Sequence, residues 1–273
     1  GIEVVKRGQL SGDEINETRV LATHTRTQYA QPNADSDRSI RDRTAQQRTF
    51  ELQNPLEVTE SDPDNLNQVL QDQIAAAGKV HQTFQTEVDN WLANPGSTSA
   101  VNLFSHTLNH YDGPAFEGLP VGKVGKYGAL IRTEELVFSA AHLDNIYGNR
   151  RPVYLGGGAG LPSGAPDDFG EESGYRWENG TTGPYLSGYY ADVTRRRHDF
   201  QDENAAINRG LVTATQDPLG HETTIEHDQF RLLPVRLSNP IGLATTVDYD
   251  YLVRRPKKMT DPNGHATHVR STP

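Results

Sequence analysis

Apolar residues along this 273-residue chain follow two different periods. Between residues 61 and 94, Leu66, Leu70, Ile74, Ala77, Val80, Phe84, Val88 and Trp91 recur at steps of three and four, the spacing that gathers side chains on one face of an α-helix. Ser61 is placed to cap the N-terminus, Pro63 falls in the first turn, and Asn94-Pro95-Gly96 stops the helix. At about 1.5 Å per residue the helix would reach roughly 45 to 50 Å if unbroken, with Gly78 as a point of bending. Its stripe reads as a packing face that docks against a sheet, not as a cofactor box.

Elsewhere the period is two, the signature of strands with one buried and one wet face. Over residues 1–58 short runs at 18–21, 25–29 and 48–52, rich in Thr, Arg and aromatics, are separated by polar clusters and predict hairpins. Residues 101–190 mix aromatics with glycine. Within them, 156–183 carries many Gly, Pro, Asp and Ser residues without periodicity, which predicts a mobile surface loop.

The last quarter of the chain repeats itself every 22 residues. Asp217-Pro218-Leu219-Gly220 returns as Asn239-Pro240-Ile241-Gly242 and as Asp261-Pro262-Asn263-Gly264. Thr223, Thr245 and Thr267 keep the same offset, as do Ile225, Val247 and Val269, and the pairs Thr224 with Thr246, Asp228 with Asp250, and Pro234 with Pro256. In the turn columns Asp or Asn comes first, Pro pre-sets φ at the second position and Gly occupies the fourth, a combination that specifies a type I β-turn. The residues after each turn alternate as a strand, and a second strand follows at 232–237 and at 251–259, so each unit is a hairpin. Pro234 and Pro256 donate no ladder hydrogen bond, and bulges or bends are expected where they fall. A lone hairpin is marginal in water, so the units require stacking side by side into a continuous strip. Three copies cannot close such a strip alone.

Composition narrows the architecture. Only 34% of residues are hydrophobic and Gly and Pro number 25 and 16, with a mean hydropathy of -0.69. That balance favours a thin-walled or extended structure over a thick globule. The net charge of -10 disfavours nucleic acid and anionic membranes as partners, because phosphate neutralisation needs clustered Lys and Arg. The basic runs Arg195-Arg196-Arg197, Arg254-Arg255 and Lys257-Lys258 are short and read as a solvated face. There is no cysteine, hence neither a disulfide framework nor a thiolate metal site. No apolar run reaches the length of a membrane-spanning helix. The chain starts at Gly1 rather than at Met, as expected of a piece of a longer polypeptide.

Tyr249-Asp250 supplies a YD signature, and the turn-strand pattern around it resembles YD-repeat proteins of the Rhs class. The similarity extends to the B component of bacterial insecticidal toxin complexes, in which segments like His110-Tyr111-Asp112-Gly113-Pro114-Ala115-Phe116, Gly118-Leu119-Pro120 and Tyr127-Gly128 precede a variable loop. A segment like Arg195-Arg196-Arg197-His198-Asp199-Phe200 then leads to Arg209-Gly210-Leu211-Val212 and Asp217-Pro218-Leu219-Gly220, in the same order as here. The resemblance covers 100–273, more weakly 1–60, and least specifically the helical stretch between. His227 and His198 depart from it, standing where the motif prefers Tyr. Propeller, self-cleaving and effector regions of that family are not matched in these residues.

The resemblance implies a secreted bacterial protein whose β-hairpins spiral into a hollow shell. Its implied partners are the rest of that shell, a cytotoxic effector polypeptide held inside, and a pore-forming translocation component. Four segments are expected: 1–60 as shell strands, 61–95 as a helical insertion, 96–190 as an aromatic and glycine-rich β region, and 191–273 as hairpin repeats. The fold expected is mainly β, an antiparallel strip of YD-repeat hairpins with one long amphipathic helix. The positions that define it are the turns at Asp217, Pro218, Gly220, Asn239, Pro240, Gly242, Asp261, Pro262 and Gly264, and the YD-type pairs His227 with Asp228 and Tyr249 with Asp250.

Constellations with catalytic potential lose to simpler readings. His106-x-x-x-His110 has zincin spacing with Asp112 nearby, but Thr107 stands where a metalloprotease needs Glu, and the segment reads as strand and turn. Gly156-Gly157-Gly158-Ala159-Gly160 is followed by Leu161-Pro162, which starts no helix to bind a phosphate. Ser163 and Ser187 lie outside any nucleophile elbow. The acid pairs Glu134-Glu135, Asp167-Asp168 and Glu171-Glu172 offer carboxylates for glycoside hydrolysis only if folding brings two together. No calcium loop is completed at Asp261-Pro262-Asn263-Gly264, and His265 with His268 reads as an exposed pair. The expectation is therefore a non-enzyme without catalytic, metal or cofactor residues. A glycan-binding surface module using the aromatics between Tyr175 and Tyr190 is the alternative, and a hydrolase built on the acid pairs a more remote one.

Overall fold

A computed structural model of the chain describes residues 2–8, 18–32, 40–52, 82, 85–90, 93, 101–152, 155, 173–181, 183–202 and 208–269. They form one continuous antiparallel sheet of thirteen strands, edged by β1 (Ile2–Gly8) and running through β2 (Thr18–Tyr29), β4 (Thr44–Leu52), β5 (Val101–Tyr111), β7 (Leu130–Ser139) and β9 (Gly188–His198). It continues through β10 (Val212–Gln216), β11 (Glu222–His227), β12 (Pro234–Ser238), β13 (Ala244–Asp250) and β14 (Arg255–Thr260) to β15 (Ala266–His268). A branch strand, β8 (Tyr175–Glu178), pairs with the first half of β9 on the edge that β10 takes further along. A two-residue parallel pair, β3 (Gln31–Pro32) with β6 (Lys123–Val124), stands apart from this sheet.

Mainly β architecture is thus what the chain adopts, and two runs that alternate separately in the sequence, 18–21 and 25–29, belong to the single strand β2. The long helix expected over 61–94 lies mostly outside the described residues. Of that stretch, Gln82, residues 85–90 and Ala93 are helical, Val88 is buried, and Asp89 accepts a 2.5 Å hydrogen bond from Arg26 on β2. The described residues also include a helix not foreseen, α1 (Ala140–Tyr147), which Ser139 caps by accepting from the His142 N–H. Strand β8 falls inside the stretch 156–183 expected to be loop. Its partners explain why: Tyr175, Arg176, Trp177 and Glu178 each face a residue of β9, a non-local pairing that no local pattern announces. Residues 156–172 lie outside the described residues.

The repeat is visible in the backbone. Gly220, Gly242 and Gly264 have φ of +84°, +83° and +84°, the left-handed conformation that closes each turn and that a Cβ would strain. At both prolines the ladder slips: His227 pairs with Pro234 after a shift, and Tyr249 pairs with Pro256 after another. A missing N–H is tolerated at such a bulge.

Among the described residues, buried apolar side chains include two clusters. Ala30, Ala45, Tyr111 and Val124 pack with Ile40, Val121 and Leu130 beneath the β5–β7 connection. Leu143, Leu155 and Tyr189 pack with Phe138, Tyr175 and Trp177 under α1. Gly188, where β9 begins, lies so close to β7 that a Cβ there would stand 2.4 Å from the Phe138 carbonyl oxygen. Gly188→Ala is expected to destabilise the fold by about 1 to 3 kcal/mol through this overpacking, read as a lower urea midpoint at unchanged m-value.

Candidate functional site

Antiparallel pairing sends the strand ends to two opposite rims. One rim carries the repeat turns at 217–220, 239–242 and 261–264, together with the ends of β4 and β7 and the starts of β5 and β9. On the other lie Asp112, Asp199, Asp228 and Asp250, each at or just past the end of its strand.

On the turn rim, each unit is closed in the same way. Gly220, Gly242 and Gly264 donate their N–H groups to the carbonyls of Asp217, Asn239 and Asp261 at 2.9 to 3.0 Å. The first side chain of the turn then binds the backbone ahead of it. Asp217 Oδ1 accepts from the N–H groups of Leu219 and His221, and Asp261 Oδ1 from those of Asn263 and His265. Asn239 Oδ1 accepts from Leu243 N–H. Pro218, Pro240 and Pro262 occupy the position where a fixed φ helps and no N–H is required. The imidazoles of His221 and His265 lie 2.9 and 3.2 Å from the same aspartates.

The opposite rim is built by carboxylates. Asp112 accepts three backbone N–H groups, from Gly125 and Gly128 at 2.7 and 2.9 Å and from Ala129 at 3.1 Å. Asp199 accepts three more, from Arg209, Gly210 and Leu211 at 2.8 to 3.1 Å. Asp228 takes Leu232 and Leu233, and Asp250 takes Leu252. The side chains of Asp112, Asp199 and Asp228 are buried, and a buried carboxylate is tolerated where donors surround it. Burial pushes the Asp228 carboxyl up, but hydrogen bonds from Leu232 N–H, the Tyr251 hydroxyl and Leu233 N–H outweigh it and hold the carboxyl below the usual range. Each aspartate thus gathers the loop that follows its strand.

Two of these clamps also reach the next hairpin. Tyr251 donates its hydroxyl to Asp228 Oδ2 at 2.8 Å while its ring meets Phe230 edge-on, and the Arg231 guanidinium lies 3.8 Å from Asp199. The residue before each aspartate is aromatic or His. Tyr111 is buried and donates to the Thr44 carbonyl, and His198 stacks on Phe200, which stacks on Tyr127. Burial lowers the pKa of both His198 and His227. Neutral imidazole can occupy the position of a tyrosine ring.

One face of the broad part of the sheet holds a buried polar network centred on Glu134. It receives Arg132 Nη1 at 3.1 Å, Arg176 Nη2 from β8 at 3.0 Å and the Tyr185 hydroxyl at 2.7 Å, with His110 Nε2 at 3.4 Å. Burial alone would raise the Glu134 pKa, but His110, Arg132, Tyr185 and Arg176 together hold it at about 2. Nearby, the Tyr190 hydroxyl oxygen accepts from the Leu186 N–H and lies 2.8 Å from His106 Nδ1, whose other ring nitrogen faces Gln46 Oε1. Burial and Arg48 push His106 down to about 3, so it stays neutral. Arg48 itself binds the Pro184 carbonyl. The contacts of Arg176, Tyr185, Leu186 and Pro184 fasten β8 and the 183–187 segment onto the sheet, while those of Arg132, His110 and Gln46 join its strands.

Among the described residues the hydrolytic constellations are not assembled. His106 and His110 lie on strand β5 with the partners just described, and among the described residues no three ligands gather at a metal-binding distance. Glu134 and Glu135 point to opposite faces of β7, one buried and one exposed. The acids at 167–168 and 171–172 lie outside the described residues. The turn residues at 217–220, 239–242 and 261–264, with His227, Asp228, Tyr249 and Asp250, do come together as two rims of one strip. Asp112, Asp199 and Glu134 belong to this machinery too; the sequence weighed Asp112 only as a metal ligand and Glu134 only as a hydrolytic acid, and gave Asp199 no role of its own. A signal for the first two was available in the dipeptides Tyr111-Asp112 and His198-Asp199, which repeat the aromatic-Asp pair at a strand end. Glu134 has none, because its partners come from residues as distant as 110, 176 and 185.

A strip of antiparallel strands with clamped loops defines the fold class, and known structures are similar to it. The chain is similar to the crystal structure of TcdB2-TccC3 without its hypervariable C-terminal region, with a TM-score of 0.58 and 13% identity over 92% of this chain. The crystal structure of TcdB2-TccC3 gives 0.57 at 13% over 92%. The Photorhabdus luminescens Tc holotoxin pore bearing a TccC3 mutation gives 0.56 at 14% over 89%. At these identities the likeness is one of fold, and the expected resemblance to toxin-complex proteins holds at that level. In each case the chain spans 10% of the length of the structure it matches. No family model and no curated protein sequence matches the chain.

Two outcomes follow for stability. Asp199→Ala strands three backbone donors and is expected to cost about 3 kcal/mol or more, with Asp199→Asn milder because one acceptor oxygen remains; amide exchange at residues 209–211 and chemical denaturation measure both. For Glu134, the folded pKa of about 2 lies below the ordinary 4.5. Its contribution is therefore complete above the unfolded pKa and is lost as pH falls through the folded one. Glu134→Gln is expected to cost about 3 to 5 kcal/mol at neutral pH by leaving buried guanidinium charge uncompensated, and to flatten the stability profile on the acid side.

Proposed function

We propose that this chain is a non-catalytic wall segment of a secreted bacterial toxin-complex shell, one that encloses a cytotoxic effector polypeptide and works with a pore-forming translocation component. The observation that carries this reading is the continuous sheet itself. Each hairpin pairs with the next without interruption from β1 to β15, and its fold matches TcdB2-TccC3 over 92% of the chain. A sheet of this kind separates two spaces, and its loops are drawn tight by buried carboxylates, so it suits a barrier better than a reactive pocket. Both faces of the repeat region remain partly open to their surroundings, as a wall with a lumen requires.

The glycan-binding alternative gains no support from the aromatic stretch between Tyr175 and Tyr190. Tyr189 and Tyr190 are buried, and Trp177 packs edge-on against Tyr189. They are packing residues rather than an open stacking platform.

The wall reading is tested in the complete polypeptide that carries this segment. Its effector should resist added protease, and Asp199→Ala should make it accessible by opening the loop at 199–211. An effector digested equally fast with and without the substitution, paired with specific glycan-array binding by the 273-residue chain, would overturn the wall in favour of the surface module.

A further inference from the structure

His198 is a buried titratable side chain that stands beside a clamp without being part of it. It ends β9, is 6% exposed and stacks on Phe200, which stacks in turn on Tyr127. Its Nδ1 is buried, and among the described residues no acceptor lies within hydrogen-bond reach of it. The bare lone pair of a neutral imidazole fits that place. A proton added there would leave a charged N–H buried and unpaired, which is costly. Tyr111, at the matching position before Asp112, meets no such conflict, because its neutral hydroxyl donates to the Thr44 carbonyl.

The neighbouring charges do not relieve the conflict. Asp199 already accepts the N–H groups of Arg209, Gly210 and Leu211, and Asp112, just past the end of β5, those of Gly125, Gly128 and Ala129. Arg231 lies 3.8 Å from Asp199, His227 on β11 interacts with the same carboxylate, and Lys126 lies over the Tyr127 ring at the far end of the stack. Burial, helped by Arg196, outweighs the pull of Asp199 and Asp112 and holds His198 below its ordinary 6.5.

Backbone contacts tie this ring to the clamp. His198 N–H donates to Gln201 Oε1 at 2.8 Å, Gln201 Nε2 donates to the Gly113 carbonyl at 2.7 Å, and Asp199 N–H donates to the Leu211 carbonyl at 2.9 Å. A ring forced out of its place therefore disturbs the 199–201 turn that aims Asp199 at residues 209–211. We propose that His198 is an acid-release switch for the Asp199 clamp: on protonation the ring leaves its buried place, the turn loosens, and the N–H groups of Arg209, Gly210 and Leu211 come off the carboxylate. A histidine whose folded pKa lies below its ordinary 6.5 contributes its stabilisation in full above that pH and loses it as pH falls through the folded value. The switch goes beyond the wall reading, since it concerns how this segment answers to pH whatever the segment encloses.

Hydrogen exchange followed by mass spectrometry on the complete polypeptide that carries this segment tests it. Protection at 209–211, corrected for the intrinsic pH dependence of exchange, should fall about tenfold between about pH 7.5 and about pH 5, the range in which a histidine gains its charge. His198→Tyr and His198→Asn carry no charge at either pH, and in both the protection should be the same at the two values. Two substitutions are used so that one folded variant suffices. His106 also titrates below its ordinary value, but it is common to parent and variants and cancels in the comparison. Asp199→Ala, which lacks the clamp, should show weak protection at both pH values. Protection in the parent that does not change with pH, or that falls equally in parent and variants, would overturn the switch. Exchange reads backbone opening and not effector release, so the switch and the wall reading fail independently.

Discussion

A buried carboxylate that takes up the backbone N–H groups of the loop beyond it is the interaction on which this strip depends. Loops beyond the strand ends gain no ladder hydrogen bonds, and every loop amide left without water or a partner costs free energy. Asp112 and Asp199 each satisfy three such donors, and Asp228 two. The charge that would be costly in an apolar core becomes favourable because the donors converge on it. That is why an acid, and not an apolar residue, stands at the end of these strands.

The clamps also give the strip direction. Asp228 spends one oxygen on its own loop and the other on Tyr251 of the following hairpin, and Arg231 approaches Asp199 of the preceding one. Neighbouring hairpins are coupled through side chains as well as through the ladder, in keeping with repeat proteins whose stability is a sum of unit and interface terms. Glu134 performs the related task in the broad half of the sheet, where β8 and the 183–187 segment lie across the strands and need fastening. There the partners are guanidinium groups and a phenol, since the segment to be held is crossed by long side chains more than by loop amides.

Legibility from sequence followed the range of the contacts. The 22-residue hairpins could be read because their determinants lie within a few residues of one another: Asp or Asn binding two to four residues ahead, Pro fixing φ, Gly taking positive φ. The ladder slips at Pro234 and Pro256 follow from the missing N–H in the same local way. Strand β8 could not be read, because Arg176 and Trp177 gain their stability from β9 and Glu134. The buried pair of Glu134 with its basic partners was equally invisible, and an adjacent acid, Glu135, drew attention to a carboxylate pair that the alternation of a strand places on opposite faces.

The sequence by itself determined the hairpin as the unit, the turns that close it and the need to stack units, since these rest on backbone geometry and on contacts between near neighbours. Only the tertiary structure decided that strands separated by dozens of residues join one sheet and that four aspartates line one rim. It also decided that His106, His110 and Glu134 serve as struts. Those outcomes depend on which distant strands pair and in what register, and a shift of one residue would turn each of those side chains to the other face.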